Sequence, residues 1–345
     1  MNTVSYSNIR NYNFENHDNS SNNYSSTEKT SNTSTPQPQS KNYYFANCNP
    51  CDNTSSTYIK NTNEKNSSNR NNDDTQDNRN KNIENDWSKL PYPNLKFTSL
   101  GETPYCVSWP LYYFRRTQEN SFVDLNGNLT NFSLKAPDCF DDFSGKQLKD
   151  VLSISNKLTV TQKTVATYWG TGIPQNQFIP ILQNLINTYK VPVIVASRMY
   201  CILSTALNDA MIICWHYKFM YMVPRPVQYA PYFKPHLPTP EHPSYPAGHS
   251  VAAGCFAAIT SYFFPKEKEK IYSLASECSI SRLYGGVHYP IDLKEGFSLG
   301  EDIALKILNL ISTDGCDHCS NINLIYNDYK NANISTNNHN QIFNI

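Results

Sequence analysis

The sequence predicts an all-α protein: a helix bundle preceded by a low-complexity Asn-rich tail and a small irregular segment that could hold a β-hairpin. Two observations lead there. Residues 1–85 hold 23 Asn, with many Ser and Thr and few aliphatic side chains. Such a segment cannot bury enough apolar surface to offset the entropy of ordering it, so it reads as disordered. After residue 146 the apolar residues recur at helical spacing in stretch after stretch, and no strand-like run of comparable length competes with them. The expected organisation is a tail over 1–85, an aromatic-rich irregular segment over 86–145 packed on the core, a helical domain over 146–312 and a polar tail over 313–345. Residues 86–310 suffice for one well-cored domain, and no internal repeat is visible.

In chain order, "FVDLNGNLTNFSL" reads as a hairpin turning at Asn126-Gly127. "TVTQKTVATYW" (159–169) offers Thr161 or Thr159 as a helix cap, and "QNQFIPILQNLINTY" (175–189) is amphipathic with Pro180 a kink point. Residues 193–219 form one long, mostly apolar helix and 250–264 the next. The stretch 266–284 follows Pro265 and stops at Gly285-Gly286, and 291–311 closes the core.

Composition narrows the function classes. The chain carries 29 basic and 29 acidic residues, which gives no reason to expect nucleic acid or an anionic membrane surface as partner. "MNTVSYSNIR" lacks the basic and apolar regions of a secretory signal, and no run reaches the ~18 clean apolar residues of a membrane span. The expectation is a soluble, cytoplasmic protein. Of ten cysteines, Cys201, Cys214, Cys255 and Cys278 fall in helical apolar patterns and read as small buried side chains. Cys48, Cys51, Cys316 and Cys319 make two C-x-x-C pairs that could supply four zinc ligands. They lie 265 residues apart in polar segments, which favours incidental cysteines.

Three polar clusters interrupt the apolar helices. Lys218 and Arg225 are seven apart, near two turns, and would share a helix face ending at Pro224 and Pro226. Pro246-Ala247-Gly248-His249 precedes a helix whose N–H groups and dipole favour an anion, with Gly248 allowing close approach. In "SRLYGGVHYPID", His288 and Asp292 are four apart. A helix starting near Pro290 would let Asp292 accept from one ring nitrogen of His288 and leave the other as a nucleophile. Singly, each cluster has a structural reading as dipole complement, cap or buried pair. Together, Lys218, Arg225, Arg282, His249, His288 and Gly248 supply what a tetrahedral oxyanion needs: bidentate guanidinia, a point charge, backbone donors, one attacking imidazole and one that protonates the leaving oxygen.

The order and spacing Lys218-x6-Arg225-Pro226, Pro246-Ala247-Gly248-His249 and Ser281-Arg282-x5-His288-x3-Asp292 resembles the three-part signature of the type 2 phosphatidic acid phosphatase and vanadium haloperoxidase superfamily. "ALNDAMIICWHYKFMYMVPRP" and "TPEHPSYPAGHS" are similar to its soluble, haloperoxidase-like bacterial branch, and the likeness covers about residues 158–311. The resemblance implies an all-α fold of the acid phosphatase/vanadium haloperoxidase type whose central helices hold phosphate or vanadate. It implies Lys218, Arg225, Arg282 and the Gly248 N–H as oxyanion ligands. His288 would bond to phosphorus or vanadium, held by Asp292, and His249 would be the general acid. Ser281 and Ala247 would stand close by. His242 would lie beside the oxyanion where the family has His in bromide-type enzymes and Phe in chloride-type ones, with a surface histidine as the plain alternative. Ala247 departs from the family's usual Ser and removes one donor. The leading expectation is phosphate monoester hydrolysis through a phosphohistidine on His288, with no cofactor required. The alternative is a haloperoxidase that uses vanadate, peroxide and halide; the third reading is a non-catalytic helical scaffold. The partner is then a small molecule, and the resemblance implies a homodimer.

Overall fold

The computed structural model describes residues 86–93, 101–118, 120–137, 143–317, 321–336 and 339. The chain divides into two units, Met1–Asp73 and Asp74–Ile345, and every described residue lies in the second. The expectations for the tail over 1–85, and for Cys48, Cys51 and Cys319, fall outside the described residues; Cys316 is exposed. Among the described residues no group of three or more His, Cys, Asp or Glu is arranged to hold a metal ion.

Helices dominate. They are α1 Leu148–Ser155, α2 Val160–Gly170, α3 Gln175–Tyr189, α4 Val193–Tyr221, the short α5 Pro226–Tyr229, α6 Gly248–Phe263, α7 Lys268–Tyr284 and α8 Pro290–Ile311. Thr159 starts α2. Its hydroxyl accepts from Gln162 N (3.2 Å) while Gln162 Oε1 accepts from Thr159 N (2.9 Å), a capping box that satisfies two orphan donors. Along α3, Phe178, Leu182, Leu185, Ile186 and Tyr189 are buried on one face, the 3.6-residue pattern of an amphipathic helix. α6 has no polar face: nearly all of it is buried, as the unbroken run "VAAGCFAAITSYF" requires. It forms the central post, packed by α8, α7 and α4, and Phe256 stacks on Phe178 of α3 at 4.3 Å and 8°.

The segment before the bundle holds a three-stranded antiparallel meander: β1 Phe114–Arg116, β2 Phe122–Asp124 and β3 Leu129–Thr130. The β2–β3 hairpin turns at Asn126-Gly127, where Gly127 has φ +84° and Asp124 Oδ1 accepts from Asn126 N and Asn128 N. The strand β1 has too short a run to signal itself in the sequence. It is held from outside: the buried carboxylate of Asp209 in α4 accepts from Tyr112 N and Tyr113 N at 2.7–3.0 Å. Phe114 and Phe122 then pack edge-to-face on Phe132, and all three rings join the core of the bundle.

Two expectations fail. Cys201 is exposed rather than buried. Lys218 and Arg225 do not share a helix face, because α4 ends at Tyr221. Met222 adopts a left-handed conformation (φ 50°) and donates its N–H to Lys218 O, which terminates the helix one turn before Arg225. Pro224 and Pro226 then hold Arg225 in extended backbone at the start of α5. The two cations converge through tertiary folding instead.

Candidate active site

Two helix crossings set the frame. At Gly300 an added Cβ would lie 2.0 Å from Val251 O, and at Gly254 2.2 Å from Phe297 O. The main chains of α6 and α8 are therefore in direct contact. At Gly296 an added Cβ would meet Ala247 O at 2.8 Å. The N-termini of both helices end up side by side, and Ala247 N donates to Asp292 O at 3.0 Å. His249 in the first turn of α6 and His288 just before α8 are thus placed by backbone packing.

Three cations gather at these ends, all of them buried. Lys218 Nζ donates to Pro243 O (2.7 Å) and Ser244 O (2.9 Å), which leaves one of its three N–H groups for another acceptor. Arg225 Nε donates to His242 O (2.9 Å), and its Nη1 donates to Val287 O (2.6 Å) and to His288 Nε2 (2.9 Å). Arg282 differs. Its Nε and Nη1 are buried and have no hydrogen-bond partner among the described residues. Buried donors are satisfied in the great majority of cases, so a guanidinium with two open nitrogens is the chemistry of an anion receptor.

The histidines are held in defined tautomers. His288 Nδ1 donates to Asp292 Oδ2 at 2.9 Å, so Nε2 carries the lone pair and receives Arg225. Asp292 Oδ2 also accepts from Ser244 Oγ (2.6 Å) and Tyr289 N (3.1 Å). His249 Nε2 donates to the carbonyl of Trp169 at 3.1 Å, leaving Nδ1 unprotonated. The helix start at Gly248 adds an N–H with no intrahelical acceptor.

The electrostatics follow from burial and like charge. Burial pushes the Lys218 ammonium down to about 7, with Arg225 adding repulsion. Burial lowers Arg282 to about 10. His288, His249 and His242 are held well below the ordinary imidazole range, first by burial and then by the surrounding cations. Burial raises the Asp292 carboxyl to about 6, against its hydrogen bonds from Ser244 and Tyr289. A pocket of neutral imidazoles and crowded cations has a strong net preference for a multiply charged anion.

The remaining sequence candidates divide. His242 is not a surface residue: its ring is buried, tilted on Trp215 at 4.6 Å, with Nδ1 3.1 Å from Arg225 Nη2. Ser281 is buried, but its hydroxyl donates within its own helix to Cys278 O (2.6 Å) and does not face the cations through any bond. Ala247 is fully buried at the cap of α6, and its N–H is taken by Asp292 O. At Gly248 an added Cβ would meet only ordinary contacts, Met211 at 3.4 Å and Trp215 at 3.5 Å, so the crowding that demands glycine lies at the helix crossings. Sequence reasoning missed Ser244, whose only signal was a hydroxyl in "HPSYPAGH", and the Trp169 carbonyl, a main-chain atom that leaves no mark on residue type.

Residues 194–315 match the family model of the PAP2 superfamily. Phosphatidylglycerophosphatase B of Bacillus subtilis is 38% identical over 68 residues, 16% of this chain and 34% of the relative. A bacterial vanadium-dependent iodoperoxidase has a similar fold at 22% identity, with a TM-score of 0.52 over 64% of this chain and 60% of that one. A bacterial vanadium-dependent chloroperoxidase compares at 15% identity and a TM-score of 0.49, over 63% and 56%. The chain thus spans about a third of the curated relative and less than two thirds of either peroxidase. Among the described residues no helix is long and apolar enough to cross a membrane. The segment that matches the PAP2 superfamily model, residues 194–315, holds every member of the cation and histidine cluster.

Proposed function

We propose that the chain hydrolyses phosphate monoesters through a phosphohistidine on His288. The observation that carries this reading is the Arg282 guanidinium, buried with two open nitrogens beside a histidine whose Nε2 lone pair is oriented by Asp292. An incoming phosphate would take Nε and Nη1 of Arg282, the third N–H of Lys218 and the start of α6. Arg225 would exchange its Nη1 bond to His288 for one to phosphate, uncovering the nucleophile.

The steps balance as follows. His288 Nε2 attacks phosphorus; the N–P bond forms and the ester P–O bond breaks. His249 Nδ1 gives its proton to the leaving oxygen while Nε2–H stays on Trp169 O. Water then attacks phosphorus, the N–P bond breaks, and Nδ1 takes the water's proton, restoring the imidazolium. In the free protein His249 is neutral at pH 7, held down by burial and Arg282. A phosphate dianion among the cations raises it again, so the acid is charged by its own substrate. General acid catalysis of this kind contributes ~10²–10⁴-fold. The absence of a hydroxyl at Ala247 leaves one donor fewer than the family pattern. Ser244 does not replace it, since its hydroxyl is committed to Asp292.

A second reading is favoured by His242, whose buried ring lies between Trp215 and Arg225 beside the same pocket. In that reading vanadate would be held by His288, Lys218, Arg225 and Arg282, and when bound it would supply peroxide activation for halide oxidation. The receptor's open donors fit either tetrahedral anion. A small-molecule substrate suits both. The deciding experiment assays the full chain with alkyl and nitrophenyl phosphates, then with vanadate, peroxide and bromide or iodide, alongside His288→Ala. Ester hydrolysis that vanishes in His288→Ala supports the proposal. Activity only in the peroxide assay replaces it with the second reading, and no activity in either assay returns the chain to a scaffold.

A further inference from the structure

A second chain of contacts reaches His249 through the end of α2. The carbonyl that receives His249 Nε2–H belongs to Trp169, in the last turn of α2, where carbonyls lack intrahelical donors. Nearby carbonyls Tyr168 O and Thr171 O accept from Gln177 Nε2 at 2.8 and 3.3 Å, and Thr167 O accepts from Thr171 Oγ1 at 2.7 Å. The end of α2 that carries the Trp169 carbonyl is tied to α7 through the Trp169 indole. That ring is fully buried, and its Nε1–H donates to Glu277 Oε1 of α7 at 3.0 Å. The same oxygen accepts from His339 Nε2 of the C-terminal segment, also at 3.0 Å, and the His339 ring stands edge-on to Tyr168 at 5.3 Å and 61°. One carboxylate oxygen thus gathers α2 and the C-terminal segment at the point where the His249 acceptor is set.

We propose that Glu277 and His339 are positioning residues for His249, acting through Trp169, so that His339 belongs to the working site. This rests on the reading of His249 as the proton donor to the leaving oxygen. Packing alone would be served by any acceptor under the indole. A carboxylate shared with a histidine gives a charge-assisted bond with a narrower geometry, which is what a proton donor requires of its acceptor.

The test separates leaving groups. An alkyl phosphate needs its departing oxygen protonated, whereas nitrophenolate leaves without help. In the full chain, Trp169→Phe, Glu277→Ala and His339→Ala should each lower kcat/KM for the alkyl ester about tenfold, a fraction of the ~10²–10⁴ that a general acid supplies. Nitrophenyl phosphate should lose little, and Glu277→Gln, which keeps an acceptor, should recover part of the alkyl rate. In parallel, nitrogen NMR of ¹⁵N-histidine-labelled protein should show His249 protonated on Nε2 in the native chain and a changed tautomer balance in the three variants. Equal losses on both esters would mark a merely structural role and overturn the proposal. So would a His249 signal that is the same in all variants. If the native chain hydrolyses no ester, the hydrolase reading fails, while the NMR comparison still decides whether Glu277 and His339 act on His249.

Discussion

Replacing Arg282 by Met should make the ligand-free protein more stable while removing its affinity for phosphate. Two buried donors on a charged group without partners, Nε and Nη1, each cost ~1–3 kcal/mol in the folded state. Methionine fills much of the same volume with no polar atom, and an imperfect fit returns ~1–3 kcal/mol of that gain. The net stabilisation is about 2 kcal/mol, which for a domain of this size raises Tm by about 4–8 °C. Bound phosphate would lose two charge-assisted hydrogen bonds at ~1.5–3 kcal/mol each, weakening its affinity ~10²–10⁴-fold. Calorimetric melting with and without inorganic phosphate reads both effects. The native chain should gain Tm with phosphate; Arg282→Met should start higher and gain nothing. A variant that melts lower than the native chain would show that the guanidinium is satisfied in the free protein, and the reasoning about an anion receptor would fail with it.

The pH profile of kcat/KM should be narrow. Below about 6 Asp292 takes a proton and His288 loses its anionic partner; above about 7 Lys218 gives up the proton it needs to bind the anion. A plateau from pH 5 to 9 would contradict both assignments. The ligand-free protein should also gain stability in urea as pH rises from about 7 toward 10.5, because unfolded Lys218 then binds a proton that the buried amine has released; falling stability over that window would show that the amine stays charged. Ser244→Ala removes a 2.6 Å donor from Asp292. It should cost ~10- to 100-fold in kcat and move the acid limb upward, whereas an unchanged limb would place Ser244 outside the His288–Asp292 pair. Gly300→Ala puts a methyl 2.0 Å from Val251 O and should lower unfolding free energy by about 3 kcal/mol in urea titration; a neutral effect would mean the helices can part without loss.

Much of this is legible in the amino-acid sequence. The helical stretches announce themselves because their apolar positions repeat every 3.6 residues over ten or more residues, and the Thr159 and Pro290 starts follow local chemistry. The pairing of His288 with Asp292 follows from a four-residue spacing across a helix start. What sequence could not supply was direction in space. The seven-residue interval from Lys218 to Arg225 resembles two helical turns until Met222 reverses the chain. His242 looks like a loop histidine until Trp215 of α4 covers it. The strand β1 depends on Asp209, almost a hundred residues later, to hold it in place. Contacts of that range, and main-chain acceptors such as Trp169 O, carry no periodic trace.

The crossing at Gly254, Gly296 and Gly300 has a consequence for how this chemistry can diversify. Because the spacing between the two imidazoles is written into touching backbones, side-chain drift elsewhere in the core cannot retune it gradually. Variation is channelled into the walls that border the guest, such as Trp215, His242 and the residue at 247. Substitutions in those walls can therefore change which guest fits while the placement of His249 relative to His288 stays set by main-chain contact.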